Sequence, residues 1–248
     1  MKALIIILSL LLLTGCSQNA PPSLPEAENI PIPEAPEMVV ESPTDDHNMT
    51  DTDAEAKKPI TVSPLATEDL LPIETYSDTR EENIEYIIIH FTSAVMLSRS
   101  EPYNMKLIRG IFEDNELSIH YIIDRDGKTL CYIPEDRTAW HAGRGSYNGI
   151  ENRMNHHSVG IELVGMGSEA DMAQYLTPSE YRALDSSLIG FTDAQYKSLA
   201  RLVADVCQRN NIPIDREHII GHSEYNPAKS DPGELFDFDK LLKEAKGE

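Results

Sequence analysis

A mixed α/β domain, with a mostly buried central β-sheet flanked by helices, is the fold class this sequence predicts for residues 76–248. Three observations carry it. "IEYIIIHFT" (84–92) is an almost unbroken apolar run rich in β-branched residues, which reads as a buried strand. "IHYIIDRDGKTLCYI" (119–133) sets two apolar stretches about Asp126-Gly127, a strong hairpin signal. Thr192, with Gln195 three residues on, makes a capping box, after which Tyr196, Leu199, Val203 and Val206 recur at helical spacing.

The remaining elements follow in order. A helix is expected near Asn104 to Phe112, a strand at "HSVGIELVG" (157–165), a shorter strand at "EHIIGH" (217–222) and a last helix over Phe238 to Ala245. Residues 166–190 match neither period and read as an inserted loop with a short helix of its own. Its place directly after the 157–165 strand suggests a lid, since loops longer than about 15 residues are usually functional or disordered. No internal repeat is present.

Upstream of the domain the chain changes character. Met1 to Leu13 is a cationic start followed by an apolar run, shorter than the roughly 20 residues a membrane span needs. With "LTGC" behind it, the run reads as a lipoprotein signal peptide (1–15), and the box resembles those after which Cys16 is acylated. Residues 16–75 then read as a disordered, Pro- and acid-rich tether. The stretch from Ser17 to Arg80 holds 14 of the 42 acidic residues, 3 of the 21 basic ones and ten of the 16 prolines. Such chain cannot offset the entropy of ordering and stays extended. The expected place is the cell envelope: lipid-anchored at Cys16, held to the outer membrane and facing the periplasm.

The formal charge of −21 argues against nucleic acid as a partner, because that binding rests on Lys and Arg neutralising phosphates. Cys131 and Cys207 are the remaining cysteines. An exported compartment permits a disulfide between them; a strand and the apolar face of a helix equally suit two buried thiols.

The chemistry gathers around "GHSEYNPAKSDPG" (221–233). His218 and His222 lie four apart, but on a strand that separates them by roughly 13 Å, too far to share an ion. His222 and His90 each end a strand, and Asp231 follows in the Pro/Gly loop. Three such ligands with a free fourth position match a catalytic zinc site, which ionises water and polarises a carbonyl. Glu162 shares a strand face with Gly160 and Val164. There a desolvated carboxylate is a plausible general base, a salt-bridged strand glutamate being the other reading. Lys229 is either a surface lysine or the group that stabilises a developing oxyanion.

Together "IIIHFT", "IHYIIDRDG", "TAWHAG", "HHSVGIELVG" and "GHSEYNPAKSDPG" resemble, in order, the zinc-dependent N-acetylmuramoyl-L-alanine amidases, a family that includes phage amidases and peptidoglycan recognition proteins. The resemblance spans residues 82–240. It implies one Zn2+ per chain on His90, His222 and Asp231, with Glu162 and Lys229 catalytic. Trp140 and His141 match residues lining the substrate groove, although core packing also suits the single tryptophan. The implied activity is hydrolysis of the amide between the lactyl group of N-acetylmuramic acid and L-alanine, in peptidoglycan or muropeptides, by a monomer. With the lipobox, the lipid-anchored envelope amidases are the implied branch. Two departures stand out: Phe91 replaces a usual histidine after the first ligand, and no wall-binding domain is expected beyond Glu248. A peptidoglycan-binding lipoprotein of the same fold that does not cut is the alternative.

Overall fold

The structure, a computed structural model, describes residues 61–248. The signal segment, Cys16 and most of the expected tether lie outside the described residues. The main sheet holds β1 (Thr67–Glu68), β2 (Tyr86–Thr92), β3 (Tyr121–Ile123), β4 (Thr129–Cys131), β5 (Ser158–Val164) and β6 (Ile219–Gly221). Its order is β1-β4-β3-β5-β2-β6. The β3/β4 hairpin is antiparallel and every other pair is parallel. β2 therefore lies between two parallel neighbours, which is why Ile87, Ile88 and Ile89 are all fully buried and why its sequence shows no polar alternation.

The alternation of side chains across the strands divides the core. Ile87, Ile89, Val159, Ile161 and Leu163 face α3 (Asp193–Asn210) and α4 (Phe238–Lys246), meeting Leu199, Val203, Val206 and Leu241. On the other face Ile122 and Val164 meet Ile108 and Phe112 of α1 (Met105–Asp114). Beside them Ile88 and Ile220 pack on Ala142, Met154 and Tyr225. Each such side chain contributes roughly 1.5–3 kcal/mol when fully buried. The expected capping box of α3 is present. Gln195 also donates from Nε2 to the carbonyls of Ile123 and Val164, at 3.2 and 2.8 Å, which fixes the helix start against two strand ends. In the hairpin, Gly127 takes φ +84°, and Asp124 Oδ1 accepts from the N–H groups of Asp126 and Lys128.

The folded unit begins upstream of residue 76, the boundary the composition suggests. β1 pairs with β4, and Leu71 is 2% exposed. The Ser63 N–H donates to Tyr121 Oη at 2.9 Å. A few apolar residues (Val62, Ala66, Leu70, Leu71) inside an acidic, Pro-containing stretch suffice to cover the sheet edge. Cys131 and Cys207 are free, buried thiols.

Residues 166–190 do carry a short helix, α2 (Pro178–Arg182), capped by Thr177. They also build a small core of Met166, Met172 and Leu176 against Val95. Arg99 pairs with Glu180 at 2.7 Å, Arg125 donates to the carbonyls of Gly190 and Ser187, and the Tyr103 hydroxyl donates to Leu188. The segment is tied down at both ends of its helical part.

Candidate metal centre

His90 projects from the same face of β2 as Ile88, near the carboxyl end of the parallel strands. β6 runs beside β2 with Gly221 opposite Ile89, so His222, the first residue of the turn His222–Tyr225, arrives next to His90. A Cβ on Gly221 would lie 2.6 Å from Pro232 Cδ. The glycine thus lets the Asp231 loop cross the strand end, and the Ser223 N–H donates to the Asp231 carbonyl at 3.0 Å to hold it there.

Three ligand atoms converge. His90 Nδ1 is 3.1 Å from His222 Nδ1 and 2.8 Å from Asp231 Oδ2, and His222 Nδ1 is 3.0 Å from the same oxygen. Among the described residues this is the one histidine/carboxylate cluster of metal-ligating type. The donor chemistry fits a cation. His222 Nε2 lies 3.0 Å from the Ala142 carbonyl, to which it donates, so a neutral His222 presents a lone pair at Nδ1. That lone pair faces a carboxylate oxygen, and the single proton on His90 cannot satisfy all three contacts. A tetrahedral zinc centre with bonds of about 2.0 Å spaces its ligands by about 3.3 Å, a few tenths wider than this triangle. Two buried imidazoles and one carboxylate therefore fit zinc.

The electrostatics agree. Burial, and then the neighbouring His222, push His90 down to about 4, so it is a neutral imidazole at physiological pH. Burial alone would raise Asp231, yet the two imidazoles outweigh it and hold the carboxyl below its usual range.

Glu162 sits on β5 directly opposite His90, on the face that carries the triangle. Its Oε2 is buried and has no hydrogen-bond partner among the described residues. Burial, then the charge of Asp231, raises its pKa well above the ordinary value, and Lys229 opposes the shift. Among the described residues no salt bridge quenches it, so it is a basic carboxylate beside the three side chains. Lys229 is exposed, within electrostatic reach of Glu162 and His90.

Trp140 is partly buried, and its indole N–H donates to Asp78 Oδ2 at 2.7 Å. His141 lies behind His90, with Nδ1 3.0 Å from His90 Nε2. Its ring occupies the space left by Gly160, whose Cβ would meet it at 2.6 Å. His218 is elsewhere, bonded to Asp215 and stacked on Tyr86. Sequence reasoning missed His120, which accepts from the Gly160 N–H at 3.0 Å, and Asn155, which fixes the 141–142 backbone. It also missed Tyr175, whose phenol is raised by burial and then by Asp231 and Glu162, placing it near both carboxylates. Asn155 and Tyr175 lie in no motif, and although His120 falls inside "IHYIIDRDG", its contact with Gly160 follows only from the pairing of the strands. The "HAG" and "HSVG" segments themselves were visible.

Comparison with known proteins bears on the family and the fold. The pattern of the N-acetylmuramoyl-L-alanine amidase family matches residues 80–234. The 1,6-anhydro-N-acetylmuramyl-L-alanine amidase AmpD of Citrobacter freundii is 31% identical over 170 residues, 64% of this chain and 79% of that protein. The Escherichia coli K12 AmpD is 34% identical over 49% of this chain, and the match spans 55% of that protein. A crystal structure of a selenomethionine AmpD derivative superposes with a TM-score of 0.53 at 27% identity, over 73% of this chain and 95% of that one. The E. coli amidase AmiD, solved with anhydro-N-acetylmuramic acid-L-Ala-D-γ-Glu-L-Lys, shares the fold with a TM-score of 0.50 at 23% identity, over 67% of this chain and 60% of its own. With the family pattern running from β2 through the Asp231 loop, this chain belongs to the N-acetylmuramoyl-L-alanine amidases, enzymes that hydrolyse an amide bond.

Proposed function

We propose that the chain is a zinc-dependent peptidoglycan amidase that cleaves between the lactyl group of N-acetylmuramic acid and L-alanine of the stem peptide. The observation that carries this reading is the triangle of His90, His222 and Asp231 with the unpartnered Glu162 carboxylate one strand away. The muramyl-alanine amides in the names of AmpD and in the AmiD complex supply the substrate class.

Zinc on the three ligands would supply a Lewis acid and lower the pKa of water. The protein's own groups do the rest. Glu162, made basic by burial, takes a proton from the attacking water and returns it to the departing alanine nitrogen. A positioned proton-transfer group of this kind is typically worth about 100- to 10,000-fold. Lys229 places a positive charge beside the oxyanion as it forms. Trp140 is proposed to flank the substrate, as is Tyr175, which lines a groove of about 790 Å³ with Leu176, Gln174 and Glu234.

Anchoring by acylated Cys16, with the Pro- and acid-rich stretch that follows it as a spacer to the outer membrane, belongs to the same proposal. Its support is the sequence between Met1 and the folded unit. Mass spectrometry of purified peptidoglycan after digestion tests the bond. Free stem peptides beginning at L-alanine are expected; cleavage within the peptide or the glycan would contradict the reading.

A further inference from the structure

The two histidine ligands share one support. His222 Nε2 meets the carbonyl of Ala142 and His90 Nε2 meets the ring of His141, both at 3.0 Å. The peptide that carries these two groups is clamped by Asn155, whose Oδ1 accepts from the N–H of His141 at 3.1 Å and of Ala142 at 2.8 Å. We propose that His141 and Ala142, held by Asn155, form the outer support that fixes both ligand imidazoles in the metal-binding tautomer, and that His141 is a positioning residue rather than a substrate contact. The proposal rests on the reading of His90, His222 and Asp231 as the metal ligands.

Following the protons gives the reason. His90 presents a lone pair at Nδ1 only if its proton sits on Nε2, where it donates to His141 Nδ1. His141 then carries its own proton on Nε2, 3.4 Å from Ser158 Oγ. The Ser158 hydroxyl donates to the Met154 carbonyl at 2.7 Å, which turns an oxygen lone pair toward His141. Each donor finds one acceptor, and the chain runs one way. Were His141 protonated on Nδ1 instead, its bare Nε2 would face the Ser158 lone pair, and His90 would have to carry its proton where the ion belongs. Ser158 thereby selects the tautomer of His141, and His141 that of His90. Gly160 completes the arrangement, since a side chain there would strike the His141 ring.

The test is zinc affinity, by competition with a chromophoric chelator, on the full-length protein and four variants checked for native circular dichroism. His141→Phe keeps an aromatic ring and removes the acceptor, and Asn155→Ala releases the clamp. Both are expected to bind zinc about 10- to 100-fold more weakly, the usual cost of losing an outer partner of a ligating histidine. His141→Gln returns an acceptor and is expected to recover most of the affinity. His90→Ala, lacking a ligand, is the reference for a lost site. Wild-type affinity in folded His141→Phe and Asn155→Ala, with His90→Ala weakened, would overturn the support and leave the ligand assignment standing. Equal affinity in wild type and His90→Ala would overturn the ligand assignment itself. If His141→Phe does not fold, Asn155→Ala decides alone.

Discussion

Replacing Glu162 by Gln keeps the side chain's shape and removes its ability to take a proton. If Glu162 is the base, kcat falls by about 100- to 10,000-fold, or about 2.7–5.4 kcal/mol of transition-state stabilisation at 1.36 kcal/mol per decade. The structure adds a second expectation of opposite sign. Burial raises this carboxyl well above its usual pKa, so its neutral form is the one the fold favours. For such a group, stability is fully present below the unfolded-state pKa and is lost as pH rises through the folded-state value. In metal-free protein at neutral and alkaline pH, Glu162→Gln removes that loss, and Tm holds or rises. Turnover of a muropeptide by liquid chromatography, zinc content and thermal melting of the stripped protein give the three readings. Activity within tenfold of wild type, with zinc still bound, refutes the role.

Three further expectations follow from the same packing and charges. Lys229→Met removes the charge that opposes the upward shift of Glu162, so the acid limb of kcat/KM against pH moves to higher pH; an unmoved limb contradicts the coupling. Gly160→Ala puts a methyl 2.5 Å from Ile119 Cδ1 and 2.6 Å from the His141 ring. Overpacking of this kind costs about 1–3 kcal/mol, readable in urea titration, and wild-type stability would show the pocket to be loose. Burial pushes the Cys207 thiol up to about 12 and Cys131 higher still. Both should resist a thiol reagent until the protein unfolds, and reductant should leave Tm unchanged.

The parts legible in the sequence are those governed by local pattern. β2 and β5 were visible as apolar runs, the α3 cap as Thr192 and Gln195, and the candidate ligands as two strand-end histidines and an aspartate in the loop that follows. Glu162 followed from strand parity, because alternation alone places it on the face of Gly160 and Val164. What stayed hidden depends on long-range contact. The edge strand at Thr67–Glu68 was masked by an acidic, proline-bearing composition that reads as spacer. Gly160 was visible as a missing side chain, but that the His141 ring fills the space follows only from the path of residues 139–142 beneath the sheet. Asn155 has no motif at all; its role is two hydrogen bonds to a loop 13 and 14 residues away.

The central claim is that amide cleavage depends on an ion held by His90, His222 and Asp231. Its most direct test is one experiment on a defined muropeptide, with protein stripped by chelator and then given back one equivalent of zinc, alongside His222→Ala treated identically. The account predicts that release of the L-alanine-led peptide stops on stripping, returns with zinc in wild type, and stays absent in His222→Ala together with bound metal. Undiminished cleavage by the stripped protein, or full zinc binding and activity in His222→Ala, would contradict it.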